Sequence, residues 1–189
     1  MSSILKVDQL QDSGGNNLIT SNGSGVITAA GFGKVGQVVS TTKTDLFQTT
    51  ASGASPSTIT GLTATITPSS TSSKILVIPN ISISTHDNNH IGCTLFRDTT
   101  AIGIGDAAGN RPRNSFVGTV MTTSGNWNMT PASFNFLDSP STTSSTTYSV
   151  KIGGNGTQII YVNRSGRDSN NTNEDGRYAS TITVMEILP

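Results

Sequence analysis

An alternation of period two recurs from residue 62 to the C-terminus, and it constrains this chain more than any other feature. Leu62, Ala64 and Ile66 alternate with Thr63, Thr65 and Thr67. Ile81 and Ile83 alternate with Ser82 and Ser84, Phe134 and Phe136 with Ser133 and Asn135, and Tyr148, Val150 and Ile152 with Ser149 and Lys151. Ile91, Cys93 and Leu95 keep the same spacing. Such a pattern puts apolar side chains on one face of a strand and hydroxyls on the other. Ile75 to Ile78 is continuously apolar and reads as a central strand, while Pro79 predicts a bulge or an edge beside it. Segments 35–40, 116–121, 159–162 and 181–187 add further strands, and no segment shows a helical period. Eight to ten short strands separated by turn clusters predict an all-β chain, an antiparallel β-sandwich or jelly roll.

Composition narrows the partners. Lys and Arg number 11, as do Asp and Glu, and only 12% of residues are charged, about half the usual share of roughly 25%. Nucleic-acid binding needs a basic surplus, which is missing, so no nucleic-acid partner is expected. No run of about 18 apolar residues occurs, so no membrane insertion by a helix is expected. The start, Met1 to Lys6, lacks the pattern of a signal peptide. The single cysteine, Cys93, excludes intrachain disulfides and cysteine-based zinc fingers. With 33% hydrophobic residues the core is thinly supplied, and packing copies together would add buried area, which favours a homotrimer.

Residues 1–33 read differently and form a first segment, with the β domain over 34–189. Ile4, Leu5, Val7 and Leu10 make a short apolar patch. Leu18-Ile19-Thr20 and Val26-Ile27-Thr28 repeat eight residues apart, between the turn clusters Asp12–Asn17 and Ser21–Gly25. So few apolar side chains cannot offset an ordering entropy of roughly 1–2 kcal/mol per residue, so the segment needs a partner. Ile4, Leu5, Val7, Leu10, Leu18 and Ile19 are the candidate anchoring residues.

Several stretches carry a family likeness. The opening Met1-Ser2-Ser3-Ile4-Leu5-Lys6-Val7-Asp8-Gln9-Leu10 with Leu18-Ile19-Thr20 resembles the start of tail-fibre and related virion proteins of tailed phages, especially marine ones. The body is similar to their C-terminal domains in the run from Gly61 to Val77, in Phe96-Arg97-Asp98, in the run from Gly105 to Arg111, in Phe136-Leu137-Asp138-Ser139-Pro140 and in Tyr161-Val162-Asn163-Arg164-Ser165. The strand order also resembles the jelly roll of the C1q and tumour-necrosis-factor proteins. The resemblance implies a virion surface protein, usually trimeric, bound to other virion structural proteins through its N-terminus.

Candidate binding residues lie in loops, where a rigid β scaffold commonly carries recognition. Segment 166–177 is the most polar. Arg167 and Arg177 offer forked donors, and Asp168, Asn170, Asn171 and Asp175 match sugar hydroxyls. Its alternating oxygen side chains approach a calcium loop, but Asn173 stands where Gly is needed and no Glu closes the set. Trp127, flanked by Asn126 and Asn128, suits either a stacking platform for a sugar ring or packing. His86 and His90 bracket Asp87, yet no third strong ligand is near, so no metal is expected. Gly103-Ile104-Gly105 opens no helix and is not a phosphate motif. The loop 105–114 reads as interface or rim. Cys93 reads as a small buried hydrophobe, and triplets such as Asn155-Gly156-Thr157 as chance.

No nucleophile set or carboxylate pair can be argued, so no enzyme and no cofactor are expected. The expected role is a trimeric fibre or spike component on the particle surface, meeting a host cell-surface glycan or protein through its loops. The alternative within the virion is a capsid decoration protein or head fibre stabilising the shell. A depolymerase would need paired acids in a groove, and Glu186 is the clearest acid in an expected strand.

Overall fold

The computed structural model describes residues 9–21, 23, 27–29, 34–85, 89–121, 128–170 and 173–189, with backbone alone for 27–29, 89 and 119–121. The chain divides into two units, Met1–Lys34 and Val35–Pro189.

In the first unit, β1 (Gln9–Gln11), β2 (Asn17–Ser21) and β3 (Ile27–Ala29) form an antiparallel meander. The turn after β1 is held by Asp12, whose carboxylate accepts from the amides of Gly14 at 2.8 Å and Asn16 at 2.9 Å. The Asn16 side chain and then its amide hold that carboxyl below its ordinary range. Leu10 stands opposite Ile19, and both are exposed, as is Leu18 on the other face of the strand. Three strands this short are marginal in water by themselves.

The second unit is a sandwich of two antiparallel sheets. One runs β10 (Phe116–Met121), β8 (Asn89–Arg97), β13 (Thr146–Gly153), β6 (Ser57–Ile66), with the short β9 (Thr100–Ile102) also on β8. The other runs β4 (Val35–Lys43), β15 (Ser180–Ile187), β7 (Lys74–Thr85). Along β7, β15 is followed on the same edge by β14 (Ile160–Val162), which also pairs with β5 (Phe47–Thr49). The opposite edge carries β12 (Phe136–Asp138) and then β11 (Thr130–Ser133). With each broken strand counted once, the sheets run first–eighth–third–sixth and second–seventh–fourth–fifth. That is the order of a jelly roll. No helix occurs among the described residues.

The alternation read from the sequence fills the core. Leu62, Ala64, Ile66, Ile75, Val77, Ile81, Ile83, Cys93, Leu95, Val150, Ile152, Ile182 and Val184 all point inward and are buried. In β6 the phase slips once. Ile59 and Leu62 are both inward, with Thr60 and Gly61 between them and Gly61 at φ 79°. This bulge needs glycine, because a side chain would be strained there and would meet the buried Lys43 Nζ.

Pro79 corrects one expectation. It lies inside β7, which has neighbours on both sides, and not at a sheet edge. Its carbonyl accepts from Phe134 at 3.3 Å. Its missing N–H therefore points toward the break between β11 and β12, where no ladder partner is wanted.

Candidate functional site

The ion-paired loop between β14 and β15 is the most organised polar feature of the sandwich. It grows from Asn163, a fully buried residue at φ 67°. The Asn163 side-chain nitrogen donates to the carbonyls of Lys43 at 2.8 Å and Asp45 at 3.0 Å, and its oxygen accepts from Ser180 at 2.6 Å. Asn163 thus ties the gap between β14 and β15 to the gap between β4 and β5. Asn is among the few residues that tolerate this left-handed conformation.

Beyond Asn163 the charges close on one another. Arg167 Nε pairs with Asp175 at 2.6 Å, and its other arm pairs with Glu174. Arg164 and Arg177 both pair with Asp168. Asp175, whose side chain is fully buried, also accepts from the Ser165 hydroxyl at 2.6 Å and the Ser169 amide at 3.1 Å. The Ser165 bond, with help from Arg167, holds the Asp175 carboxyl below its ordinary value. Arg177 and then Arg164 do the same for Asp168, and Glu174 and Asp175 raise Arg167. Arg164 stacks on Tyr161 at 4.2 Å, and its carbonyl accepts from Ser84 on the outer face of β7 at 2.7 Å.

The expected recognition residues therefore divide. Arg167, Asp168, Asp175 and Arg177 are brought together, but their forks and carboxylates bind each other. Of the oxygen side chains in the calcium reading, those of Asp168 and Glu174 are taken by arginines. Asn170 and Asn128 are exposed. Asn126, Trp127 and Asn171 lie outside the described residues, as do the anchoring residues Ile4, Leu5 and Val7 and the histidine His86. Leu10, Leu18 and Ile19 are described and exposed. Among the described residues no three His, Cys, Asp or Glu side chains gather as metal ligands. Cys93 is buried, and burial pushes its thiol up to about 12, so it is inert as a nucleophile.

The loop 105–114 is held by contacts within the chain, which leave its reading as interface or rim open. Arg113 donates to the Gly105 carbonyl at 2.6 Å, and Pro112 sits against Gly53.

Two buried carboxylates sit where sequence reasoning named only one acid. Glu186 on β15 and Asp138 on β12 both stand opposite Ile75, in one row on the inner face of the sheet. Asp138 reaches across the sandwich and accepts from Arg97 at 2.9 Å and Tyr148 at 2.7 Å. Burial and the Asp138 bond raise the Tyr148 hydroxyl far above its ordinary value. Glu186 accepts from the Ser69 amide and hydroxyl, both at 2.6 Å, and from Gln37 at 2.7 Å. Burial pushes this carboxyl up, and the bonds from Ser69 and Gln37 outweigh it, leaving the carboxyl below its ordinary value. Both acids are wholly engaged with the protein, and Glu186 is fully buried. They fasten one end of the sandwich. Arg97 and Asp138 come from two of the stretches that carried the family likeness, but nothing in either stretch marked them as partners.

An all-β jelly roll with a separate small β unit ahead of it is the class this fold defines. No family model matches the chain, and no curated protein matches it. Solved structures do. A structure of infectious bursal disease virus Gx strain matches with 16% identity over 80% of this chain and 32% of that one, at a TM-score of 0.44. A crystal structure of the same virus's T13 particle matches with 14% identity over 87% and 38%, at 0.41. A crystal structure of its VP2 subviral particle matches with 12% identity over 81% and 38%, at 0.39. The chain spans less than half the length of each of these.

Proposed function

We propose that this chain is a structural protein of a virus particle: a trimeric fibre or spike subunit of a tailed phage, anchored through its first unit and meeting the host surface through loops of the jelly roll. It works by binding and not by catalysis. The observation that carries the reading is the first unit. It offers strands of three, five and three residues with Leu10, Leu18 and Ile19 exposed, which is a surface that wants a partner. The sequence likeness to phage virion proteins points the same way.

Three measurements test this reading. Purified protein should sediment as a trimer and block phage adsorption to host cells. Deletion of residues 1–34 should remove incorporation into particles. A monodisperse monomer at micromolar concentration that does not compete for the host would overturn it. Particles that shed DNA on loss of the protein while still adsorbing normally would favour the capsid-decoration role.

A further inference from the structure

Among the described residues of the second unit, the outer face of the sheet containing β4, β15, β7 and β12 is covered on one half only. Toward β14, Arg164 lies over it, docked by the Ser84–Arg164 bond and stacked on Tyr161, and Ser84 is buried beneath. On the other half the pairing sets up a row across all four strands: Val38 opposite Met185, Met185 opposite Leu76, Leu76 opposite Leu137. These residues share a face because directly opposed residues point the same way. Val35 and Ile187 continue the patch along the strands. Val35, Val38 and Leu137 are each about half exposed, at 49%, 57% and 47%. Asp and Glu are missing from this half, and Lys74 opposite Ile187 is its only charge.

We infer that this bare half-face, the row Val38–Met185–Leu76–Leu137, is where copies of the chain pack on one another. The inference rests on the trimeric reading above. Two observations select a second copy as the occupant. A charged partner would find only Lys74 to pair with. The patch is also small. Four strands about 4.8 Å apart, with same-face residues about 6.7 Å apart over three rows, span roughly 400 Å², about half of the roughly 800 Å² per partner that a stable pairwise interface takes. A free partner would bind it poorly, whereas copies already tethered beside it would bind well at high effective concentration.

The test is sedimentation equilibrium of the full chain. V38K/L137K places charges at two half-exposed positions where the fold tolerates them; V117K, at the 59% exposed Val117 elsewhere on the domain, is the control. V38K/L137K should weaken association at least tenfold with an unchanged far-ultraviolet spectrum, and V117K should not. V38T/L137T, which keeps strand propensity, should weaken it in the same direction. If wild type is a trimer and V38K/L137K is equally tight, this inference is overturned while the trimeric reading stands. Association that survives V38K/L137K but is lost in L10K/I19K assigns the contact to the small unit and likewise overturns it. A monomeric wild type overturns both.

Discussion

Glu186 shows how a single side chain can govern the sandwich's acid behaviour. It is a buried carboxylate held by neutral donors, with Ser69 and Gln37 supplying three hydrogen bonds. Its folded value lies below its unfolded one. Its contribution is therefore fully present above the ordinary glutamate range near 4.5 and is lost as pH falls through the folded value. Glu186→Gln removes the charge and sets an amide donor against the Ser69 and Gln37 donors. Hydrogen bonds to charged groups contribute about 1.5–3 kcal/mol each way of counting, so a loss of about 2 kcal/mol is expected at pH 7. Urea titrations of both proteins at pH 7 and pH 3 check this, since the gap between them should shrink at the lower pH. Tyr148→Phe is a second single-residue case. It strips Asp138 of one of its donors inside the core, and a loss of about 1–2 kcal/mol in the same titration is expected.

At the scale of elements, the jelly roll depends on strands that break in register. β4 and β5, β14 and β15, and β11 and β12 each interrupt one path, and in two of the three the break is held by Asn163. Asn163→Ala loses three hydrogen bonds and leaves a Cβ at φ 67° without the amide that holds the backbone there, so about 3 kcal/mol should go. Asn163→Gly keeps the conformation at no steric cost and should recover about 1 kcal/mol of that. Thermal unfolding of the two variants side by side separates backbone strain from bonding. This is also where legibility in the sequence ends. Inward positions such as Leu62, Ile83 and Ile182 were readable because burial follows a period of two. The bulge at Gly61 and the pivot at Asn163 were not, because a single Gly or Asn among so many carries no period. The break beside Pro79 was half legible: the missing N–H announced an interruption, but not which edge of a central strand would carry it. The loop 166–177 was readable as polar, but its mutual pairing was not, because which Arg meets which carboxylate is fixed only when Asn163 and Ser84 place the loop's two ends.

At the scale of the whole molecule, neutrality reaches even the most charged loop. Segment 164–177 holds Arg164, Arg167 and Arg177 against Asp168, Glu174 and Asp175, three of each sign, so its charges cancel, and they pair with each other. With 11 basic and 11 acidic residues overall, neither the chain nor this loop presents a one-signed field. Surface charges without such a field steer a partner weakly, and salt screens what remains within about 10 Å at 0.1 M and about 3 Å at 1 M. Binding through the proposed host-facing loops must then rest on hydrogen bonds and packing. The affinity of purified protein for host cells should change by less than about twofold between 0.05 M and 0.5 M salt, where a partner held by several ion pairs would lose orders of magnitude. Adsorption competition across that range checks it. A steep loss of affinity with salt would mean that the Arg and Asp side chains leave one another to grip the host, so that the loop pairs internally only when free.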